Sequence, residues 1–323
     1  MRHARETLLG LYATMVRIRE FELCAARLLA ANRLPGFLHT SVGQEACAAG
    51  VCAALRREDR ITTTHRGHGH CIAKGADLGR MMAELFGRRT GYAKGRAGSM
   101  HVSDPDCGIL NANAIVGGGL PMAVGAAYAA RLQGGEAVTV AFFGDGAVAE
   151  GTFHESLTMA ALWALPVVFV CENNLYAEMS HISLHMKDPD VHHRAPAYGL
   201  PGRAVDGNDA VAVYEAASAV VERARAGGGP TLLECKTYRW RGHFEGDPQR
   251  YRAREEVAEW MERDPIRRLR AALIDGAAAT EGDLDRRRQE ILAQIEAAVA
   301  FAESSPEPTA EDLLSDVTAA GTS

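Results

Sequence analysis

The stretch Val138-Thr139-Val140-Ala141-Phe142-Phe143-Gly144-Asp145-Gly146 decides the fold of this chain, together with Val167-Val168-Phe169-Val170-Cys171 and the pair Asn173-Asn174 behind it. Each apolar run predicts a buried β-strand, over 137–143 and 166–171, and a helix predicted over 152–164 completes a right-handed βαβ unit. Polar residues stand where each strand ends, at the carboxyl edge of a parallel sheet, where open α/β folds bind ligands. A carboxylate, an amide and glycine backbone at that edge indicate a site for a hard cation that carries a diphosphate.

The rest of the chain continues the α/β pattern. Apolar spacing predicts further helices over 4–31, 44–54, 76–86, 120–133, 209–226, 254–262, 266–276 and 282–303, and short strands over 61–64 and 231–235. Residues 87–119 and 177–198 lack periodicity, and loops of that length are usually functional. With no interdomain linker visible, we expect one α/β domain over 1–323, a mostly parallel sheet flanked by helices with additional N- and C-terminal helices, and a polar tail over 304–323.

Composition excludes several classes of protein. The 323 residues are 24% charged and 47% hydrophobic with a net charge of -6, so no basic face is expected for nucleic acid or an anionic membrane. The uncharged stretch 107–130 is broken by glycines and Pro121, which argues against a membrane span. Seven cysteines without CxxC spacing favour reduced thiols, and the N-terminus has no apolar signal-peptide core. We therefore expect a cytoplasmic protein that binds neither nucleic acid nor a membrane.

The chemistry at the predicted sheet edge suits magnesium. Magnesium takes six oxygen ligands in octahedral geometry, and Asp145 can supply a carboxylate oxygen, Asn174 an amide oxygen and Tyr176 a main-chain carbonyl. Two diphosphate oxygens and a water molecule would complete the six. Gly146 allows close approach of the backbone to phosphate. Either motif alone is more often an ordinary turn, whereas both at adjacent strand ends favour a binding site.

Other signals allow rival interpretations. A zinc site is conceivable at His65, His68 and His70, but the spacing is not that of a closed site and no cysteine or acid pair lies nearby. A nicotinamide enzyme is conceivable from the glycines at 117–119, but Met122 stands where the third glycine of a dinucleotide loop belongs. A subunit retained only for assembly is the non-catalytic alternative.

Further motifs carry a family resemblance over residues 5–315. They are Gly36-Phe37-Leu38-His39, Gly43-Gln44-Glu45-Ala46, Ile61-Thr62-Thr63-Thr64-His65-Arg66-Gly67-His68-Gly69-His70, Gly98-Ser99-Met100-His101, Phe153-His154-Glu155-Ser156-Leu157, Val205-Asp206-Gly207-Asn208-Asp209 and Tyr238-Arg239-Trp240-Arg241-Gly242-His243. With the two strand-end motifs, they resemble the alpha subunit of the thiamine-diphosphate-dependent first component of 2-oxo acid and acetoin dehydrogenase complexes. The resemblance implies the thiamine-diphosphate-binding fold, with this chain supplying the diphosphate and metal half of the site.

By matching position, the resemblance assigns the polar residues at the sheet edge to the cofactor. Asp145, Asn174 and the carbonyl of Tyr176 would bind Mg²⁺, while Gly146 and Ala147 would contact the diphosphate through their backbone. The glutamate that activates the cofactor belongs to a separate beta chain in that family, so Glu45 of this chain is expected to have a structural role.

The resemblance also assigns residues around the reacting centre. Arg66 would pair with the diphosphate, a bidentate role suited to guanidinium, and Val116 would contact the aminopyrimidine through its backbone. His39 and His243 match histidines that face the reacting carbon, and histidine suits proton transfer near neutral pH.

Two positions depart from the pyruvate-type pattern. His65, a further candidate for both catalysis and cofactor binding, stands where tyrosine is common. Ala114, at a cofactor-binding position, stands where glycine is common. Both substitutions would reshape the substrate pocket without removing metal or diphosphate binding.

The residues after His243 point to the substrate. Pyruvate-type relatives usually have serine next, whereas Phe244 and Glu245 stand here, as in acetoin dehydrogenase alpha subunits. The resemblance implies cleavage of acetoin to acetaldehyde and a hydroxyethyl-cofactor unit, which passes to the lipoyl group of an acyltransferase partner. Oxidative decarboxylation of pyruvate or a branched-chain 2-oxo acid is the alternative. The implied assembly is two alpha and two beta chains, and residues 177–198 are expected to order over the cofactor and help dock the lipoyl domain.

Overall fold

The computed structural model describes residues 3–316 and contains eight strands and twelve α-helices in that range. The strands are β1 (Arg60–Thr64), β2 (Ile109–Asn113), β3 (Thr139–Gly144), β4 (Val167–Asn173), β5 (Tyr176–Ala177), β6 (Ser180–His181), β7 (Gly202–Asp206) and β8 (Thr231–Lys236). The helices are α1 (Arg5–Ala30), α2 (Glu45–Ala53), α3 (His68–Lys74), α4 (Leu78–Leu85), α5 (Gly119–Leu132), α6 (Gly151–Leu162), α7 (Ile182–His185), α8 (Ala210–Arg223), α9 (Arg254–Met261), α10 (Pro265–Asp275), α11 (Glu281–Ser304) and α12 (Ala310–Leu314).

Six strands form one parallel sheet in the order β2-β1-β3-β4-β8-β7, while β5 and β6 form a separate antiparallel pair. The predicted fold class, a mostly parallel sheet flanked by helices, is confirmed. Within the register of β3 and β4, Gly144 lies opposite Glu172. Because the two strands end level with each other, the residues that follow them emerge side by side.

Side chains of the central strands alternate between two apolar layers. Val140 and Phe142 of β3 pack with helices α1, α2, α4, α8 and α11, whereas Ala141 and Phe143 pack with α5 and α6. All seven residues of β4 are buried, as a parallel strand covered on both faces requires. This double cover explains why β3 and β4 are continuous apolar runs in the sequence.

Several helices and strands lie where the sequence predicted a loop or no regular secondary structure. Strand β2 lies inside the predicted loop 87–119, and β7 was not predicted, because both are edge strands without clear apolar alternation. Helix α3, which follows β1, was not predicted either. A Cβ atom on its Gly69 would lie 2.9 Å from the hydroxyl of Ser41, so the glycine serves close packing there rather than a turn.

The two remaining irregular stretches also contain structure. Residues 177–198, predicted as a loop, hold β6, α7 and a 3-10 segment from Val191 to Tyr198. The predicted polar tail 304–323 holds α12, and its last seven residues, 317–323, lie outside the described range. No helix in residues 3–316 combines the length and apolar character needed to cross a bilayer.

Candidate functional site

Asp145 is the centre of a polar corner formed where β3 and β4 end. The residue is 1% exposed, and its Oδ1 accepts a hydrogen bond from the backbone N–H of Asn174 at 3.2 Å. Its Oδ2 is buried and has no hydrogen-bond partner among the described residues. Burial raises the pKa of Asp145 to about 6. A buried carboxylate with one unpaired oxygen is expensive in free energy, and a bound cation would remove that cost.

Asn174 and Tyr176 share this corner. The amide oxygen of Asn174 accepts from the backbone N–H of Tyr176 at 3.2 Å, while its amide nitrogen donates to Gln44 at 3.3 Å. Leu175 between them has a φ of 71°, an unusual backbone conformation for this residue type that folds the loop back on itself. One carboxylate, one amide oxygen and a main-chain carbonyl in this corner fit the oxygen donors that Mg²⁺ prefers.

Gly146 holds the turn after β3 against the loop after β4. A Cβ atom at this position would lie 2.9 Å from the Cβ of Ala177, so a side chain would push the two segments apart. Ala147 follows in the same 3-10 turn, and α6 starts at Gly151. The turn and the start of α6 follow the carboxyl end of β3, where backbone N–H groups could contact a phosphate.

Two buried guanidinium groups give the site a strong positive charge. Arg66 donates to the carbonyls of Thr40 at 2.6 Å and His243 at 2.9 Å, and burial lowers its pKa to about 9. Arg239 donates to the carbonyl of Glu178 and the hydroxyl of Tyr251, and burial lowers its pKa as well. Within residues 3–316, neither forms an ion pair with a carboxylate, so both are available to a bound anion such as a diphosphate.

Three histidine rings meet beside these arginines. The ring centroids of His39 and His65 are 4.9 Å apart, those of His39 and His243 are 5.1 Å apart, and those of His65 and His243 are 5.5 Å apart. Burial, followed by repulsion from Arg66, lowers the pKa of His39 to about 3, of His65 to about 2 and of His243 to about 4. All three rings are therefore neutral at pH 7.

The proton of His243 can be assigned from its neighbour. Its Nδ1 lies 3.4 Å from a guanidinium nitrogen of Arg239, and guanidinium can only donate. The neutral ring of His243 therefore carries its proton on Nε2. The Nδ1 atom of His39 is buried without a partner in the described chain, so it is free to accept or donate toward a bound molecule.

Asp247 and Arg252 fix the loop that carries His243. Asp247 accepts hydrogen bonds from the backbone N–H of His243 and the hydroxyl of Tyr251, both at 2.7 Å. Arg252 donates to the carbonyls of residues 239, 240 and 241. The position of His243 is thus set by side chains beyond it in the sequence.

Glu84 organises the glycine-rich loop on the other side. Its buried carboxylate accepts four backbone N–H groups, from residues 93, 95, 97 and 98, at 2.7–3.1 Å. Ser99, next in the chain, contacts the ring of His68, which in turn bonds to the buried Glu22 at 2.9 Å. Met100 lines the cavity. The irregular loop is therefore held by one acid that sequence reasoning did not single out.

Ten of the eleven predicted site residues line one cavity of about 380 Å³, and Asp145 lies directly beneath it between Gly144 and Gly146. Those ten are His39, His65, Arg66, Ala114, Val116, Gly146, Ala147, Asn174, Tyr176 and His243. Ile115 and Val116 stand at its mouth, 70% and 50% exposed. Their position supports a site that another surface completes.

Sequence reasoning gave no role to four further residues near this cavity. Gln44, Glu172 and Arg239 line it, and His185 approaches Asp145 from below. Gln44 and Arg239 stood in motifs quoted above, so their position in those motifs was a usable signal. No comparable signal marked Glu172 or His185.

Several rival interpretations are decided by the geometry. The zinc interpretation fails, because His68 bonds to Glu22 and Ser99, whereas His70 bonds to Thr63. Glu45 pairs with Arg19 and accepts the N–H of Gly43, which agrees with a structural role. The polar loop sequence around His192 and His193 predicts a solvated pair of histidines, and this prediction is wrong for His192.

The Nδ1 atom of His192 lies 2.6 Å from the buried carboxylate of Glu234. All seven cysteines are free, and Cys71, Cys171 and Cys235 are buried.

The parallel sheet, the cavity lined by two arginines and the unpaired carboxylate of Asp145 are features of a cofactor-binding α/β protein. The family model "Dehydrogenase E1 component" matches residues 13–311, and the chain belongs to this family. The family implies dependence on thiamine diphosphate, and the cavity fits that cofactor's charge.

Three relatives illustrate the similarity. The alpha subunit of acetoin:2,6-dichlorophenolindophenol oxidoreductase from Bacillus subtilis is 50% identical, covering 97% of this chain and 93% of its own. The protein of the same name from Cupriavidus necator is 46% identical, covering 97% and 94%. A chloroplastic pyruvate dehydrogenase E1 alpha subunit from rice is 43% identical, covering 97% and 76%.

Proposed function

We propose that this chain is the alpha subunit of an acetoin dehydrogenase that uses thiamine diphosphate and Mg²⁺. The observation that carries the choice of acetoin is the neutral histidine cluster at one end of the cavity, with an apolar ring next to it. His39, His65 and His243 are uncharged at pH 7, and the ring of Phe244 lies 6.5 Å from those of His39 and His243. The charged ends of Arg66 and Arg239 are assigned to the diphosphate. Among the described residues that line the cavity, this leaves no cation for the carboxylate of a 2-oxo acid, whereas acetoin is uncharged.

The residues of this chain would position the reactants and move protons. When bound, the cofactor supplies a nucleophilic carbon and an electron sink. Asp145, Asn174 and Tyr176 would hold the cation, and Arg66 and Arg239 the diphosphate. The Nε2–H of His243 can donate to a substrate oxygen, and Nδ1 of His39 can accept a hydroxyl proton.

The alternative, oxidation of pyruvate or a branched-chain 2-oxo acid, differs only in the group that leaves. The two relatives at 50% and 46% identity carry acetoin in their names, which supports the first choice. The pyruvate dehydrogenase relatives keep the second choice open to test.

Partner chains are part of the proposal. We infer an assembly of two alpha and two beta chains that acts with a lipoyl-bearing acyltransferase. The exposed apolar side chains at the cavity mouth support a beta chain there. Further exposed apolar side chains on or next to α5 and α6 extend this surface, namely Met122, Tyr128, Leu132, Met159, Leu162 and Trp163. Light scattering of the co-expressed chains tests the stoichiometry, and recovery of a monomeric alpha chain from the mixture would contradict it.

Three smaller expectations belong to the same proposal. The shared sheet under both apolar layers supports a single domain. The free cysteines support a cytoplasmic location. We also infer that residues 177–198 order over the cofactor and help to dock the lipoyl domain. Equal proteolytic cleavage of this segment with and without cofactor would contradict that role.

Steady-state assays of the co-expressed chains decide the substrate. With dichlorophenolindophenol as electron acceptor, we expect a higher kcat/KM for acetoin than for pyruvate. Replacing Phe244 by serine should lower the ratio of the two values, because a polar side chain replaces the apolar ring beside His39 and His243. Phe301→Ser on α11, outside the cavity, is the matched control. A higher kcat/KM for pyruvate in the unmodified protein would overturn the choice of acetoin.

A further inference from the structure

His185 is a histidine outside the predicted site whose ring points toward the metal corner. Its Nε2 lies 3.9 Å from Oδ2 of Asp145. That distance is too long for a direct hydrogen bond. Both atoms are buried, and neither has a hydrogen-bond partner within residues 3–316. Two unpaired polar atoms that face each other across such a gap indicate a shared third group, either an ion or a water molecule.

The position of His185 is fixed by packing rather than by a free loop. It is the last residue of α7, whose Ile182 is buried in the apolar layer beside β4. The backbone N–H of Ile182 donates to the carbonyl of Leu175 at 2.8 Å, and the next residue, Met186, is also buried in that layer. Helix α7 is thereby tied directly to the loop that carries Asn174 and Tyr176.

The 3.9 Å gap matches an indirect contact better than a direct one. Magnesium binds oxygen at about 2.1 Å in octahedral geometry, so adjacent ligands lie about 3.0 Å apart. A water molecule next to Oδ2 in that shell would come within hydrogen-bond reach of Nε2. If the nitrogen itself were the adjacent ligand, it would lie about 1 Å closer to Oδ2 than it does.

We propose that His185 is a positioning residue of the cation site, whose Nε2 accepts a hydrogen bond from a water molecule coordinated to the bound cation. This inference rests on the proposed function, because it needs the cation that Asp145, Asn174 and Tyr176 would hold. Magnesium dehydrates reluctantly and keeps waters when it binds proteins. A group that orients one of those waters strengthens binding without joining the inner shell.

Mn²⁺ provides the test, because it occupies magnesium sites and is visible by electron paramagnetic resonance. Free Mn²⁺ is titrated against the co-expressed alpha and beta chains with thiamine diphosphate present. Loss of an outer-shell partner typically weakens metal binding about 10–100-fold, and we expect that loss for His185→Leu. His185→Gln, whose side-chain oxygen can still accept from water, should restore most of the affinity. His3→Leu, a histidine that pairs with Glu215 outside the cavity, is the matched control and should bind as the unmodified protein does.

The outcomes separate this inference from the proposed function. Equal Mn²⁺ affinity in the unmodified and His185→Leu proteins would overturn the role of His185 alone. A failure of the unmodified protein to bind Mn²⁺ with the cofactor would overturn the proposed cation site as well. Pulsed measurement of the bound Mn²⁺ adds a direct check, since strong coupling to a nitrogen nucleus would show His185 in the inner shell and refute the water-mediated contact. If His185→Leu does not fold, weakened binding in a folded His185→Gln protein likewise counts against the proposal.

Discussion

Replacing Asp145 by asparagine should stabilise the cofactor-free protein while removing its ability to bind the metal. Burial raises the pKa of this carboxyl from its ordinary value of 3.8 to about 6. Each tenfold change in proton affinity corresponds to about 1.4 kcal/mol, so keeping the ionised group buried costs about 3 kcal/mol at neutral pH. The asparagine can still accept the N–H of Asn174 but carries no charge.

The pH dependence follows from the sign of that shift. The folded protein binds the proton of Asp145 more tightly than the unfolded chain does, so protonation of Asp145 stabilises the fold. This contribution to stability is present below about pH 4 and is lost as the pH rises through about 6. The asparagine variant has no such loss. In the unmodified protein, about half of the 3 kcal/mol of stability is lost above pH 5. The advantage in Tm of the variant should therefore be roughly 2 °C larger at pH 8 than at pH 5.

Differential scanning calorimetry of the metal-free, cofactor-free protein at the two pH values measures this difference. Asp106→Asn, at an exposed position, is the matched control and should show no such trend. Adding Mg²⁺ and thiamine diphosphate at about 100 times Kd should raise the stability of the unmodified protein by about 2.7 kcal/mol and leave the variant unchanged. A variant that is less stable at pH 8, or a difference that does not vary with pH, would refute the reasoning.

Three further substitutions test other parts of the site. Arg66→Lys keeps the positive charge but loses the bidentate guanidinium donor, so thiamine diphosphate should bind roughly 10-fold more weakly by calorimetric titration. An unchanged affinity would place the diphosphate elsewhere. His243→Gln should lower kcat by roughly 100-fold or more with little change in cofactor affinity, and the activity of the unmodified protein should show no ionisation of His243 between pH 6 and 8, since its pKa is held at about 4. Glu84→Gln replaces one accepting oxygen by a donor that faces backbone N–H groups, so urea unfolding should show a loss of about 2–4 kcal/mol, and a loss below 1 kcal/mol would contradict its role in holding the loop.

The sequence predicted the parts of the molecule in which local pattern and tertiary environment agree. Strands β3 and β4 are buried on both faces, so their apolar runs were visible, and Asp145 and Asn174 stood out as polar residues at their ends. Strands β2 and β7 lie at the sheet edges and gain their conformation from a single neighbouring strand, which no local pattern records.

Residues held by distant partners could not be found in this way. In the sequence, Glu84 is an ordinary acidic residue of an amphipathic helix. Its role is seen only in the folded chain, where residues 93–98 fold back onto it. A role for His185 can be inferred only from the 3.9 Å between its Nε2 and Oδ2 of Asp145, a residue forty positions earlier in the chain. His192 looked solvated because its partner, Glu234, lies on β8. The family resemblance supplied Arg66 and the three neutral histidines, whose grouping depends on chain segments far apart.

The strand order has a consequence for synthesis on the ribosome. Strand β8 is inserted between β4 and β7, although β7 precedes it in the chain. Until residues 231–236 have left the ribosomal exit tunnel, β7 has no partner and β4 presents an open apolar edge, the kind of surface that invites aggregation. His243 and Arg239 arrive only after that strand. A nascent chain therefore has neither a closed sheet nor a complete site over most of its translation, and we expect it to need protection by chaperones during that interval.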